Sequence, residues 1–310
     1  MAQVFNPEHV MLSDTIGKEI TDVGFTAEFL KQLAETSLVM QLGLREEMDG
    51  RLVKKSIGLG ELSDAYFVGE GEKIGTAGFN GKEYILEARK IAVILPVTEE
   101  FLMYTWKDYF RKVVPAVVDK FNKKINGAAF LGLYGDPFGA NVLESATDAG
   151  NVVNGDITTE GIYDLENLPS YDTNAFVGHK TVSRGLRGLS DGVSQTAIYD
   201  KNAGKLDDIV YKELDLGLQA DGVTPVEYPA GTLFAGDFNG LRYGLPNGTQ
   251  LRLKIADQAT LSKVQNAGPD TGDVHLFEQD MQALRAVFEI AVAIPNDNAF
   301  AVIQPEVVTP

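Results

Sequence analysis

The feature that most constrains this fold is a glycine-rich segment that lies between two strand-like segments. Residues 49–90 contain the glycines Gly50, Gly58, Gly60, Gly69, Gly71, Gly75, Gly78 and Gly81. Few of its apolar side chains could meet in a core of their own. The flanking segments 51–59 and 82–95 have strand character, which predicts a long β-hairpin. Because a two-stranded hairpin is marginally stable alone, we expect it to pack on a neighbouring molecule.

A long amphipathic helix is predicted directly after the hairpin. Thr98 can cap the first backbone amides, and Glu99 suits the positive end of the helix dipole. An apolar stripe follows at helical spacing: Trp106, Phe110, Val113, Val117 and Phe121. The residues predicted on the opposite side are Asp108, Arg111, Asn122 and Lys123. Pro115 lies inside the pattern, so we expect one bent helix that ends near Gly127.

The remaining chain predicts an N-terminal arm and an α+β body. The arm covers residues 1–48 and includes an apolar, helix-like segment at 26–41. Short elements separated by glycine, proline and aspartate then fill residues 134–245. The predicted strands are 175–177, 195–199, 232–235, 250–255 and 274–293, and the clearest short helix is 160–168.

Composition excludes several functions. The 310 residues contain no cysteine, which excludes disulfides and thiol chemistry, and no apolar run approaches the roughly 20 residues that cross a bilayer. The net charge of -17 argues against sequence-specific DNA binding. Residues 107–124 nevertheless carry six basic and two acidic residues. This basic stretch is either a solvated helix face or a surface that attracts phosphate groups without sequence preference.

Three sets of residues are of types found in nucleotide-binding, catalytic or calcium-binding sites, but none has the spacing that such a site requires. The sequence GEGEKIG at 69–75 is neither a dinucleotide fingerprint nor a P-loop. Asp172, His179 and Ser183 lack a nucleophile-elbow motif. The carboxylate pairs Asp207 with Asp208 and Asp270 with Asp273 lack EF-hand spacing. We therefore predict no catalytic residue, no cofactor-binding residue and no metal ligand, and we expect the protein not to be an enzyme.

Several segments, in their order along the chain, resemble the major capsid proteins of tailed phages. They are QVFNPEHVM at 3–11, VGEGEKIG at 68–75, KIAVILPVTEEFL at 90–102, AGDFNGLRYGLPNG at 235–248 and LFEQDMQALRAVFEIAVAIPNDNAFAVI at 276–303. The likeness covers nearly the whole chain and is greatest to siphophages of Gram-positive hosts. No single motif decides it; the order and spacing of the segments carry it.

The resemblance implies an α+β, HK97-like capsid fold in four parts. Residues 1–48 correspond to the N-terminal arm, and residues 49–90 correspond to the extended hairpin, or E-loop. The peripheral domain, with the long spine helix, corresponds to 91–133 and 249–288. The axial domain corresponds to 134–248 and 289–310.

The resemblance also implies a function and partners. The chain is expected to self-assemble into pentamers and hexamers of an icosahedral head that encloses double-stranded DNA. A portal protein is a further expected partner. Because the family-like arm begins at Gln3, we expect a separate scaffolding protein rather than a scaffolding region within the chain. The expected location is the virion, after assembly in the host cytoplasm, and no membrane is involved.

Two sets of contact residues follow from this reading. In the arm, Phe5, Phe25 and Phe29 are expected to make apolar contacts with neighbouring subunits. In the hairpin, Glu70, Lys73 and Lys82 are expected to make polar contacts with them. On the long helix, Lys120, Lys123 and Lys124 are expected to face the lumen.

The resemblance also bears on covalent cross-linking. Some relatives join their subunits through a lysine and an asparagine, assisted by a glutamate. Here Asp280 stands at the asparagine position and Val287 at the glutamate position. An ionised aspartate lacks the leaving nitrogen of an amide, and valine cannot move a proton. We therefore expect a shell without isopeptide links.

Two other functions remain open at this point. An encapsulin-like compartment would use the same fold to enclose a cargo enzyme. A carboxylate-based hydrolase, built from the acid-rich middle of the chain, would instead form a small oligomer with paired acids in a pocket.

Overall fold

The computed structural model describes most of the chain outside the N-terminal arm. The described ranges are residues 31–58, 65–76, 82–190, 197–217, 226, 231–246, 252–261 and 274–305, without the side chains of 100–112, 253, 255 and 297. The helices are α1 (Leu38–Leu42), α2 (Glu99–Leu131), α3 (Val142–Asp148), α4 (Thr159–Asn167) and α5 (Lys180–Leu186). The strands are β1 (Leu44–Glu47), β2 (Val53–Gly58), β3 (Lys82–Glu87), β4 (Arg89–Thr98), β5 (Val152–Asn154), β6 (Ala175–His179), β7 (Tyr199–Asp200), β8 (Lys205–Leu206), β9 (Ile209–Leu214), β10 (Leu233–Gly236), β11 (Arg242–Leu245), β12 (Arg252–Ala256), β13 (Thr260–Leu261), β14 (Val274–His275), β15 (Met281–Ala293) and β16 (Phe300–Gln304).

The chain divides into two compact units. The first contains Met1–Glu35, Lys90–Phe121 and Thr249–Glu289. The second contains Thr36–Arg89, Asn122–Gly248 and Ile290–Pro310. The second unit therefore holds both strands of the hairpin and most of the α+β body.

A seven-stranded sheet forms the centre of the second unit, in the order β5-β16-β10-β6-β9-β8-β7. Strand β10, the third in this order, runs antiparallel to both β16 and β6. All four residues of β10 and the first four of β16 are buried, as expected for strands covered on both faces. The structure confirms the strands predicted at 175–177 and 232–235. Of the segment predicted at 195–199, residues 195 and 196 lie outside the described residues.

Short helices pack against this sheet. Helix α4, which confirms the helix predicted at 160–168, begins after Thr158, whose side chain accepts a hydrogen bond from the amide of Gly161. Its buried Ile162 and Leu165 join a core that includes Ile303 of β16. Helices α3 and α5 and strand β16, the second strand in this order, were not predicted.

The long helix α2 begins directly after Thr98, as predicted, and is continuous through Pro115. The predicted end near Gly127 is wrong, because the helix continues to Leu131. A Cβ atom on Gly127 would lie 3.3 Å from side-chain atoms of Leu133 and Tyr134. The glycine therefore serves a close approach of the chain and does not terminate the helix.

The polar side predicted for this helix is also partly wrong. Asn122 was placed on the solvent side, but it is buried, and its amide donates a hydrogen bond to the hydroxyl of Thr36. Asn126 is buried as well and accepts from Ser37 at 3.5 Å. The last turns of α2 are buried around most of their circumference, so hydrogen-bonded asparagines replace a solvated face there.

The strand predicted at 274–293 is interrupted. Residues 276–280 form a turn between β14 and β15, and Asp280 adopts a φ of 53°. Aspartate tolerates this left-handed conformation better than most residues. In the first unit, β15 pairs antiparallel with β12 in the register Lys254↔Arg285, and β4 also pairs with β15. Of the strand predicted at 250–255, residues 252–255 are confirmed within β12, and residues 250 and 251 lie outside the described residues.

Among the described residues, no helix combines the length and the apolarity that spanning a membrane requires.

Candidate interaction surface on the hairpin

The strands β2 and β3 form the predicted hairpin, and their register gives it two distinct faces. The antiparallel pairs include Lys55↔Ile85 and Ser56↔Tyr84. Side chains alternate between the faces of a strand. Along β2 the residues alternate between exposed and half-buried positions, and Leu86 of β3 is wholly buried. The second predicted strand, at 82–95, is divided at Ala88 into β3 and β4.

The inner face of the hairpin is held by a polar cluster around Glu46 of β1. Tyr84 donates its hydroxyl proton to Glu46 Oε2 at 2.6 Å, and Ser56 donates to Glu46 Oε1. The ammonium group of Lys54 lies 3.5 Å from Glu46 Oε1 and 3.8 Å from Asp49 Oδ2. One carboxylate thus contacts side chains of both hairpin strands.

The pKa values in this cluster follow from its contacts. Burial opposes the ionisation of Glu46, but the hydrogen bonds from Ser56 and Tyr84 and the charge of Lys54 outweigh it and lower the pKa of Glu46. Burial, together with the hydrogen bond to Glu46 and its negative charge, raises the pKa of Tyr84 to about 12. At neutral pH the cluster therefore holds an ionised carboxylate and a neutral phenol.

The rest of the hairpin exposes an unusual amount of apolar surface. Among the described residues, half of the large exposed hydrophobic side chains lie between positions 52 and 85. They are Leu52, Val53, Ile57, Tyr66, Phe67, Val68, Ile74 and Ile85. Scattered exposed hydrophobics are normal, but a concentration in one segment marks an interaction surface.

The tip of the hairpin, residues 65–76, has a local structure of its own. The amide of Glu72 donates to the carbonyl of Gly69 at 3.1 Å, and the Glu72 carboxylate accepts from the Gly69 amide at 3.2 Å. Gly71 supplies the φ of 85° that this turn requires. The ring of Tyr66 lies so close to Gly75 that a Cβ atom there would be 2.8 Å from it. The turn leaves Phe67 fully exposed and Ile74 81% exposed.

The predicted polar contact residues Glu70, Lys73 and Lys82 are all exposed on the hairpin. The predicted arm residues Phe5, Phe25 and Phe29 lie outside the described residues. Sequence reasoning missed Phe67 and Ile74. The sequence signal that could have identified them is the presence of two large apolar residues in a segment that is otherwise rich in glycine and charged residues.

The predicted basic residues of α2 have different surroundings. Lys120 is exposed. The ammonium group of Lys123 lies 3.1 Å from Asp215 Oδ2, and that of Lys124 lies 3.5 Å from the centre of the Tyr134 ring. Burial opposes the ionisation of Asp215, but the amide of Gly217 and the Lys123 charge outweigh it and lower its pKa.

The residues considered for catalysis or metal binding have local structural roles. His179 caps α5 by accepting from the amide of Thr181, and Ser183 donates its hydroxyl proton to the Lys180 carbonyl at 3.0 Å. Asp207 and Asp208 form the two-residue turn between β8 and β9, both at positive φ. Asp270 and Asp273 lie outside the described residues. No group of three or more potential ligands able to hold a metal ion occurs within the described ranges.

The two positions considered for cross-linking also have defined surroundings. The backbone carbonyl of Asp280 accepts a hydrogen bond from the amide of Glu99 at 3.0 Å. Its carboxyl group hydrogen-bonds that of Glu99, and this contact, with the nearby charges of Asp280 and Asp257, raises the pKa of Glu99. Val287 is buried within β15.

Comparison with known proteins identifies the class of this protein. Residues 22–304 match the phage capsid family. The chain belongs to this family of shell-forming phage proteins. It is 38% identical over 307 residues to the major capsid protein of Staphylococcus phage 80alpha, and the match covers 98% of this chain and 90% of that protein.

Solved structures confirm the fold. Chains from Microbacterium phage Oxtober96 and Mycobacterium phage Adephagia are each 20% identical, with TM-scores of 0.64 and 0.65. They cover 87% and 88% of this chain, which covers 91% of each of them. A chain described as the capsid of an empty GTA particle has a TM-score of 0.60 at 13% identity and covers 87% of this chain and 89% of its own. The predicted α+β, HK97-like capsid fold is therefore confirmed, and neither alternative function finds support in these matches.

Proposed function

We propose that this chain is the major capsid protein of a tailed phage. In this role it self-assembles into pentamers and hexamers that form an icosahedral head around double-stranded DNA. Family membership supports the shell-forming role, and the match to a major capsid protein covers nearly the whole chain. The function is structural, so it requires contacts between copies rather than a catalytic centre.

One observation carries the proposal at the level of residues, namely the exposed apolar surface of the hairpin. Phe67 and Ile74 gain nothing for the fold of the subunit that exposes them. Fully burying one such side chain contributes about 1.5–3 kcal/mol. A few such contacts, repeated by every subunit of a closed shell, are sufficient because each subunit makes many of them. The occupant that fits this surface is another copy of the chain.

The experiment compares assembly of the full-length wild-type chain with that of a Phe67→Ser, Ile74→Ser double variant. Sedimentation velocity should show wild-type particles far larger than the 33.6 kDa subunit. The double variant should remain in small species while its circular dichroism spectrum is unchanged. The double variant Val210→Ser, Tyr163→Ser, which changes exposed apolar residues outside the hairpin, is the matched control. Equal assembly of all three proteins would contradict the role of the hairpin tip.

The division of the chain into four parts and the contacts of the arm, both predicted from the sequence, remain proposals. The arm with Phe5, Phe25 and Phe29 and the hairpin with Glu70, Lys73 and Lys82 form the contacts between subunits. Portal protein and a separate scaffolding protein are the other proposed partners, and assembly takes place in the host cytoplasm.

The basic face of α2 is proposed to face the lumen and to attract DNA without sequence preference. Lys120 is the residue that best supports this role, because Lys123 also contacts Asp215 and Lys124 also contacts the ring of Tyr134. Lys120→Gln should lower DNA retention and leave stability unchanged. Lys123→Gln should also weaken the Asp215 contact. Normal packaging by a Lys120→Gln, Lys124→Gln variant would end this part of the proposal.

We also propose that the shell carries no isopeptide links. Asp280 offers a carboxylate instead of an amide, and the buried Val287 offers no group that transfers a proton. Denaturing electrophoresis of mature particles should give one band near 33.6 kDa. A ladder of covalent multimers would refute the proposal.

A further inference from the structure

The hairpin meets the rest of its unit through two small clusters. Within the part of the chain that the structure describes, β2 and β3 pair with each other and with no other strand. Among these residues, no backbone ladder to a third strand fixes the angle of the hairpin. The angle is therefore set by side chains, which belong to one apolar cluster and to the polar cluster around Glu46.

The apolar cluster holds the hairpin without defining its direction. Its buried members are Met48, Leu86, Ala291 and Ala293, with Tyr84 and Ala88 packed against them. The side that faces the hairpin consists of Met48, which precedes β2, and two alanines of β15. Apolar packing is proportional to the area buried and has little directional preference. Alanine methyl groups and a flexible methionine side chain offer the strand few directional contacts.

Glu46 supplies the missing direction. Its strand β1 pairs in parallel with β11, with Glu46 opposite Gly244, so its backbone is fixed in the sheet. One carboxylate oxygen accepts from Ser56 of β2 and the other accepts from Tyr84 of β3. Hydrogen bonds to a charged acceptor are short, strong and angle-dependent. A single carboxylate thus orients both strands at once.

We propose that Glu46 is a positioning residue that fixes the direction in which the hairpin, and with it the exposed pair Phe67 and Ile74, leaves its unit. Its importance for shell assembly rests on the proposed function of the chain. The positioning itself does not, because it concerns contacts within one subunit.

The charged groups around the cluster define its pH range. Lys54 faces Glu46, Asp49 lies beyond Lys54, and Arg242 of β11 lies near Tyr84. Since the pKa of Glu46 is lowered, its stabilising effect is present above the ordinary value of 4.5 and is lost as the pH falls through its folded value. Since the pKa of Tyr84 is raised, its effect is present below 10.0 and is lost as the pH rises to about 12.

The experiment uses the full-length chain with Glu46→Gln, which keeps the shape but loses the charge and one acceptor oxygen. Amide hydrogen exchange should become faster by about tenfold or more in β2 and β3, because hydrogen bonds to a charged group are lost. Exchange in β10 and β16 should not change. The control is Glu87→Gln, an exposed hairpin carboxylate paired with Arg89 at 3.0 Å, which should leave β2 and β3 protected. Unchanged hairpin exchange in Glu46→Gln, or an equal increase in β10 and β16, would overturn the proposal.

Tyrosine titration followed by NMR gives a second readout, because it follows the Tyr84 hydroxyl that contacts Glu46. The pKa of Tyr84 should move from about 12 in the wild type towards its ordinary 10.0 in Glu46→Gln. Adding Tyr84→Phe to Glu46→Gln should give no further increase in exchange, because the two residues act as one unit. A Tyr84 pKa that stays at about 12, or additive effects, would contradict positioning through Glu46.

Assembly separates this inference from the proposed function. Wild-type particles with normal shape, together with irregular or incomplete particles from Glu46→Gln, would support both. If the wild type forms no particles, the proposed function fails while the exchange result still decides the inference. Regular particles from a Glu46→Gln chain with a loosened hairpin would show that positioning is not needed for assembly.

Discussion

The seven-stranded sheet and the hairpin use the same apolar residue types in opposite ways. In β10 and β16 they are buried on both faces, and the rings of Phe130 and Phe234 lie 5.9 Å apart. In the hairpin, Phe67 and Ile74 are exposed. The sheet explains how one subunit folds. If the proposed function holds, the hairpin explains why one subunit is not sufficient, because another copy would cover its apolar surface.

The largest expected effect tests the sheet side of this comparison. Phe234→Ala removes a wholly buried ring and should lower the free energy of unfolding by about 3–5 kcal/mol. The matched change Phe67→Ala removes an exposed ring and should alter it by no more than about 0.5 kcal/mol. Urea denaturation of unassembled subunits measures both. Equal losses would show that the hairpin tip belongs to the core of the subunit.

Two serines compare a polar contact of the long helix α2 with one in the hairpin. Ser37 is buried and donates to Asn126, so Ser37→Ala should lower the free energy of unfolding by about 1 kcal/mol. Ser56→Ala removes a donor to Glu46 and should loosen the hairpin locally. Denaturation together with hydrogen exchange distinguishes global from local effects. A global loss from Ser56→Ala would show that the hairpin and the sheet unfold together.

Charge at the hairpin tip should have a smaller, salt-dependent effect. Lys73→Glu adds negative charge beside Glu70 and Glu72 and should weaken assembly at low salt by up to about 1 kcal/mol per contact, with recovery at high salt. Light scattering during assembly at two salt concentrations measures this. Lys55→Glu, an exposed lysine on β2, is the control. Unchanged assembly of the Lys73 variant at both salt concentrations would remove Lys73 from the contact surface.

The smallest expected effect concerns the ion pair of Lys123 with Asp215. The pKa of Asp215 is lowered in the folded protein. Asp215 therefore stabilises the fold at pH values above its ordinary pKa of 3.8, and this effect is lost as the pH falls through the folded pKa. The Asp215 side chain is 70% exposed, so Asp215→Asn should cost less than about 1 kcal/mol at neutral pH. Thermal denaturation of both proteins from pH 7 down to pH 3 should show this difference disappearing. A difference that grows with acidity would reverse the sign of the argument.

The sequence predicted elements that depend on local patterns. The glycine-rich hairpin and the start of the long helix have local signals, so β2, β3 and α2 lie close to the predicted positions. The end of α2 was wrong because Gly127 serves a tertiary contact that no local pattern reports. Strand β16 was missed because Phe300–Gln304 is a short apolar run, which periodicity alone does not distinguish from other buried segments.

The candidate surface was predicted in position but not in chemistry. Charged residues of the tip were favoured as contacts, whereas the structure adds Phe67 and Ile74 as exposed apolar side chains. The role of Glu46 was not foreseen, because its partners Ser56 and Tyr84 lie 10 and 38 residues away along the chain. Only the fold brings these three side chains together.

Electron microscopy of the purified full-length protein, in negative stain, tests the central claim most directly. The claim is that this chain forms a shell through contacts between copies that the hairpin makes. The expected result is a field of closed polyhedral particles of uniform size. The claim would be contradicted if the protein stayed as single subunits at concentrations where related capsid proteins assemble, with the hairpin folded onto its own subunit.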